Sequence, residues 1–324
     1  MPDQTNHERQ LLIQTVRDLV AKHAGTEAVR AAMESDRGYD EKLWQLLCEQ
    51  VGVAALVVPE EFGGAGGELA DAAAVIAELG RALVPTPLLG TTLTELALLA
   101  ADQPDADALE GLAAGAAIGA LVLDPDYVVN GDIADIVVGA QGGTLSRWTE
   151  YSAEALPTMD LTRRLARVRA TRTETLGADP GLADTAALLL AAEQVGAASR
   201  CLELTVTYTK ERVQFGRPIG SFQALKHRMA DLYVKVQTAG AVVDEGVENP
   251  SSTTAALAHI AATEAFRDVA AEAVQMHGGI AITWEHDIQL YFKRSHGSSQ
   301  LLGQPADYLR RLEPDALSTP SEAQ

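Results

Sequence analysis

The stretch Tyr208-Thr209-Lys210-Glu211-Arg212-Val213-Gln214-Phe215-Gly216-Arg217-Pro218-Ile219-Gly220-Ser221-Phe222-Gln223 decides the reading of this chain. Helical periodicity runs into it from Thr185 to about Val213 and out of it from Phe222 to about Val247. Gly216 and Pro218 break the pattern, so the segment joins two long helices. Arg212 stands at the end of the first helix, where its guanidinium can pair bidentately with a pyrophosphate. Phe215 offers an apolar face to an adenosine, and Gln223, early in the next helix, can donate to phosphate or ribose. Singly, Arg212 reads as a surface ion pair and Phe215 as a core residue. Together, at this spacing, they favour a dinucleotide ligand.

Toward the C-terminus, the second helix stops at Glu248-Asn249-Pro250, because proline disfavours helix in the residue before it. Ser251 to Thr254 supply N-cap candidates for a third helix reaching about His277. That helix ends in Ala273-Val274-Gln275-Met276-His277-Gly278-Gly279-Ile280. One glycine would serve as a helix cap. Two, Gly278 and Gly279 beside Gln275, also let backbone approach a ligand. A fourth helical region follows Trp284 and a last helix closes near Leu312. The tail from Glu313 to Gln324 is rich in Pro, Ser and Glu and is expected to be disordered.

Toward the N-terminus, the texture changes. From about Leu112 to Gly177 the period shortens, and Ile118–Leu123, Tyr127–Val129, Ile136–Val138 and Leu165–Arg172 read as strands. In the last, Ala166, Val168 and Ala170 alternate with Arg167 and Arg169, with Arg172 further on. Periodicity favours a solvated strand face over a row of arginines meeting an anion. A polar stretch, Asp102 to Glu110, separates this module from a first region that is again helical, with Leu11, Leu12, Val16, Leu19 and Val20 at helical spacing. The glycine run from Gly63 to Gly67 lacks the Gly-Lys-Ser/Thr ending of a phosphate-binding loop and reads as a connection. The expected domains are therefore 1–110 (helical), 111–178 (a small β domain) and 179–312 (a helical bundle), with 313–324 as tail.

Composition excludes several function classes. The 324 residues carry 25 basic and 45 acidic side chains, a net charge of −20, which argues against a nucleic-acid partner. The two cysteines, Cys48 and Cys201, have no CxxC or Cys/His spacing, so no metal site is expected. No apolar stretch is long enough to span a bilayer, and the polar start carries no apolar signal core. A cytoplasmic location is the default expectation.

The segments 208–223 and 273–280 closely resemble the acyl-CoA dehydrogenase family. Trp44, Val58-Pro59-Glu60-Glu61-Phe62-Gly63-Gly64 and Glu78-Leu79-Gly80-Arg81 match its N-terminal part more loosely. The resemblance implies a mainly α fold with a small β module: an N-terminal helical domain, a reduced middle β domain and a C-terminal four-helix bundle. It also implies that Arg212, Phe215, Gln223, Gln275 and Gly279 contact the adenosine-diphosphate end of an FAD held by a neighbouring subunit. Gln214 and Gly278 belong to the same segments, and Gln214 departs from the pattern, where Thr is also common.

Two parts of the pattern are missing. The segment that usually carries the catalytic glutamate reads Ser295-His296-Gly297-Ser298-Ser299-Gln300, with His296 in the glutamate's place. The alternative position for that base falls at Ala186, and Asp184 lies two residues away, off the helix face. No catalytic residue is therefore assigned. His296 itself can be a base, since imidazole titrates near neutrality, or a vestigial polar residue. Between Leu112 and Gly177 neither of the family's flavin-ring segments is found.

Retained adenosine-end residues beside lost flavin-end residues imply half of a shared site. The resemblance extends to the α2β2 acyl-CoA dehydrogenases of actinobacterial steroid side-chain breakdown. It implies an intact homologous partner that supplies the flavin pocket, the glutamate and most acyl-CoA contacts. Electron-transfer flavoprotein or a similar acceptor would take the electrons. A self-sufficient homomeric enzyme using His296 and a scaffold that does not handle FAD are the alternatives. Small residues such as Gly196 and Ala197 are expected to leave room for a bulky acyl group.

Overall fold

The computed structural model describes residues 2–317, with side chains over 7–312. Helices come first: α1 (Pro2–His23), α2 (Thr26–Met33), α3 (Glu41–Val51), α4 (Leu69–Arg81), α5 (Leu88–Leu99) and α6 (Ala106–Ala113). The sheet follows: β1 (Gly119–Val122), β2 (Val128–Val129), β3 (Ile136–Gln141), β4 (Thr144–Leu156) and β5 (Leu165–Ala178). The bundle comprises α7 (Leu182–Glu211), α8 (Gln223–Glu248), α9 (Ser252–His277), α10 (Ile288–Ser298) and α11 (Pro305–Leu317). A two-stranded hairpin, β6 (Val213–Gln214) and β7 (Arg217–Pro218), interrupts it after α7. The expected mainly α fold with a small β module is what forms.

The sheet order is β1-β3-β4-β5-β2, with β1 and β3 parallel and every other pair antiparallel. Alternation divides the faces. Leu121, Ile136, Val138 and Leu145 enter the core shared with the helices. Ala120, Val122, Val137, Ala166 and Val168 pack on the other side beneath Trp148. The arginine row of β5 makes ion pairs within the sheet module: Arg167 pairs with Glu154 at 3.1 Å and with Asp126, and Arg169 also pairs with Asp126.

Four sequence expectations need correction. β4 was not expected as a strand; bulges at Leu145/Ser146, Trp148/Glu150 and Glu150/Tyr151 destroy its period of two. The Asp-rich stretch holds α6, started by Asp105, whose side chain accepts from Ala108 N at 3.1 Å. The closing helix runs to Leu317, so the first five residues of the expected tail are helical; 318–324 lie outside the described residues. Finally, Gly196 makes no room for a substrate. A Cβ there would fall 2.0 Å from the Ala77 carbonyl oxygen, and one at Gly80 would fall 2.5 Å from the Glu193 carbonyl oxygen. These glycines let α4 and α7 cross at backbone contact, and Ala197 is buried in the same bundle. The glycine loop 63–67 is likewise structural, since Gly64 folds back onto Val58.

Candidate functional site

α8 runs back between α7 and α9 in sequence, so α7 and α9 run parallel, pack directly on each other and bring their C-terminal ends together. Tyr208 fixes this end: its ring stacks on His277 at 4.2 Å and its hydroxyl donates to the His277 carbonyl at 3.3 Å. His286 completes the cluster, edge-on to His277 at 4.8 Å. Burial lowers the pKa of both histidines. The His286 Nδ1 accepts from Ile288 N at 3.2 Å, which requires its unprotonated form. The sequence reading gave no role to these three residues.

Arg212 caps α7 in extended geometry. Ile219 N donates to its carbonyl at 2.8 Å and Gly220 packs on Thr209, so the start of α8 is held beside the end of α7. The hairpin between them turns through Phe215 (φ 54°) and Gly216 (φ 76°). Positive φ at both central residues suits a two-residue hairpin turn, but for phenylalanine it is strained. The strain, on the order of 1 kcal/mol, holds a ring that is 92% exposed, edge-on to Phe222 at 6.2 Å. Arg217 lies over that Phe222 ring at 3.9 Å. Gln214 folds back to its neighbour's carbonyl.

The expected adenosine-end residues thus gather at one end of the bundle. Arg212, Gln223 and Gln275 are exposed and make no side-chain hydrogen bond or ion pair among the described residues. Gly278 caps α9 with φ 66° and needs to be glycine for that reason. A Cβ on Gly279 would meet nothing within 4 Å, so no packing inside the chain demands glycine there. These features suit a nucleotide diphosphate laid against the surface: an uncommitted guanidinium, amide donors, an exposed ring and bare backbone.

The other end of the expected site looks different. His296 sits half-buried on α10, its Nδ1 donating to the Phe292 carbonyl at 3.0 Å and its ring against Phe292 at 4.3 Å. Asp184 pairs with Arg311 at 2.5 Å and is committed to the bundle, while Ala186 is buried. Where helices, sheet and bundle meet, the space lined by Leu88, Val129, Thr162, Arg163, Glu193 and Arg294 amounts to about 30 Å³. That is the volume of one water molecule. Glu193 is buried between Arg294, 2.8 Å away, and Arg163. Burial works to raise its pKa, but the two guanidiniums prevail and hold it below the usual carboxylate range. Beyond this junction, Leu121, Tyr127, Val129, Ala183, Gln300 and Leu301 line a larger space of about 260 Å³.

A mainly α chain with a five-stranded sheet inserted between two helical regions is the architecture of one flavoenzyme class, and the comparisons agree. Residues 6–115 match the acyl-CoA dehydrogenase N-terminal domain and 182–304 the acyl-CoA dehydrogenase C-terminal domain. The chain belongs to the acyl-CoA dehydrogenase family, whose members are FAD-dependent oxidoreductases acting on CH–CH bonds. It is 70% identical to the acyl-CoA dehydrogenase IpdE2 of Mycobacterium tuberculosis over 313 residues, 97% of this chain and 98% of that one. Among solved structures, the Tcur3481-Tcur3483 steroid ACAD G363A variant is 26% identical with a TM-score of 0.86, covering 96% of this chain and 98% of its own. The ChsE4-ChsE5 complex from Mycobacterium tuberculosis shares the fold, at 24% identity and a TM-score of 0.84, over 97% and 98%. Among the described residues no helix is long and apolar enough to cross a membrane, and no cluster of His, Cys, Asp or Glu could hold a metal ion.

Proposed function

We propose that this chain is the cofactor-lending, non-catalytic subunit of a heteromeric FAD-dependent acyl-CoA dehydrogenase. The observation that carries the reading is the contrast between the two ends. One presents Arg212, Phe215, Gln223, Gln275 and Gly279 uncommitted to the chain's own fold. The other has His296 where the family places its glutamate, and its ring nitrogen is committed to the Phe292 carbonyl. FAD, when bound, supplies the hydride acceptor for α,β-dehydrogenation of an acyl-CoA thioester. In this chain Arg212 neutralises the diphosphate, Phe215 covers the adenosine, and Gln223 and Gln275 donate to phosphate or ribose. Gln214 and Gly278 shape the same edge. A homologous partner contributes the ring pocket, the glutamate base and most acyl-CoA contacts.

The assembly is an α2β2 heterotetramer with one FAD per unlike pair, located in the cytoplasm, passing electrons to electron-transfer flavoprotein or a similar acceptor. Likeness to the steroid ACAD supports a steroid side-chain CoA ester as substrate. The division at about residues 110 and 178 stands as the domain proposal, consistent with the two matched ranges. Purification of the chain alone, and with a homologous acyl-CoA dehydrogenase that keeps the family's glutamate, tests the reading. The lone chain is expected to be colourless and inactive with an artificial acceptor, and the pair yellow and active. A yellow, active lone chain would favour a homomeric enzyme. A colourless pair would favour a scaffold.

A further inference from the structure

Loops that connect strands are normally solvated, because buried loop backbone and charge are costly. The connection between β4 and β5 departs from this: Asp160, Thr162 and Arg163 are each at most 8% exposed. Three separate parts of the molecule hold it. Arg294 of α10 lies 3.0 Å from Asp160, and its guanidinium donates to the Thr162 hydroxyl and carbonyl, both at 2.9 Å. Glu193 of α7 accepts from Arg163 and from Arg294 at once. Next along the loop, Arg164 donates to the Asp36 carbonyl at 2.9 Å and to Asp132 at 2.7 Å, reaching the N-terminal helices and the β2–β3 turn. Two buried arginines against two buried carboxylates make the cluster neutral, so it calls for no further ion. It fills the junction of all three regions and borders the space of about 30 Å³.

We propose that Glu193, Arg163, Arg294 and Asp160 form an internal ionic clamp that takes the place of a ligand at the three-way junction, holding the sheet module on the bundle without cofactor or substrate. The chain then presents its lending face on a scaffold that is complete when empty. The idea rests on the reading that this junction houses no flavin or acyl chain, and the two fail separately in one experiment.

Hydrogen exchange is followed in the full-length chain over residues 157–164, with α8 as internal reference. In the unaltered protein the loop is protected, and neither FAD nor octanoyl-CoA changes that protection. In E193Q two buried guanidiniums lose their shared carboxylate, and loop exchange accelerates by about a hundredfold or more while α8 is unaffected. Should E193Q not fold, D160N/R163M/E193Q/R294M removes both cations with both carboxylates. It is expected to fold with the loop still exposed, since the bonds to Thr162 are gone. Native loop protection in whichever variant folds overturns the clamp. Added protection of the loop by FAD or octanoyl-CoA in the unaltered chain overturns instead the reading that the junction houses no flavin or acyl chain.

Discussion

Arg212→Ala separates a ligand role from a structural one because the side chain does nothing for the fold. It stands exposed after α7, touches no carboxylate among the described residues, and its backbone bond to Ile219 survives truncation. Unfolding free energy of the lone chain should therefore change by less than about 0.5 kcal/mol, the range for an uninvolved surface position. In the heteromer, the same change removes a hydrogen bond to a charged diphosphate. That is worth about 1.5–3 kcal/mol, or roughly a 10- to 150-fold weaker FAD affinity. The assay is flavin release from the purified complex, with Tm of the lone chain as control. Unchanged affinity would place Arg212 outside the site. Loss of affinity accompanied by an equal loss of chain stability would mean that the effect came through the fold.

His296→Glu restores the residue type missing from the resemblance but should give no activity in the lone chain, because the family's flavin-ring segments are missing from the β module; turnover would refute that loss. Gly196→Ala sets a Cβ 2.0 Å from the Ala77 carbonyl oxygen, and urea denaturation should show a loss of about 1–3 kcal/mol; an unchanged midpoint would mean that α4 and α7 separate freely. Glu95 of α5 is fully buried with neither carboxylate oxygen partnered, and burial raises its pKa well above the ordinary 4.5. Its contribution is complete below pH 4.5 and shrinks as pH rises, by about 1.4 kcal/mol per unit while the folded form stays neutral. The advantage of Glu95→Gln over the unaltered chain should therefore grow between pH 5 and 7; a pH-independent difference would contradict the unpaired burial. The lowered pKa values of His259, His277 and His286, each caused first by burial, act in the opposite direction. Stability from them is present above the ordinary 6.5 and lost as pH falls below it, so His259→Gln should flatten the acid limb of a stability–pH curve.

The order of helices, sheet and bundle was legible because α7 is apolar along much of its length, buried without a break from Ala186 to Gln194, and α9 keeps a long helical apolar period. β4 was not, since three irregularities scramble its alternation and most of its residues face water. The gathering of Arg212, Gln223 and Gln275 was legible from two contiguous segments. The clamp was not: Arg163, Glu193 and Arg294 lie far apart in sequence, and each looks like an ordinary surface charge until the fold buries all three. Gly196 misled in the other direction. A small residue in a helix can make room for a ligand or for a neighbouring backbone, and only the crossing of α4 with α7 distinguishes them.

The central claim is a division of labour, and the ratio of bound flavin to each chain in the purified heteromer measures it most directly. One FAD for each pair of unlike subunits, with none retained by this chain alone, is the predicted result. One FAD for every chain would contradict it, because this chain would then house a flavin ring of its own.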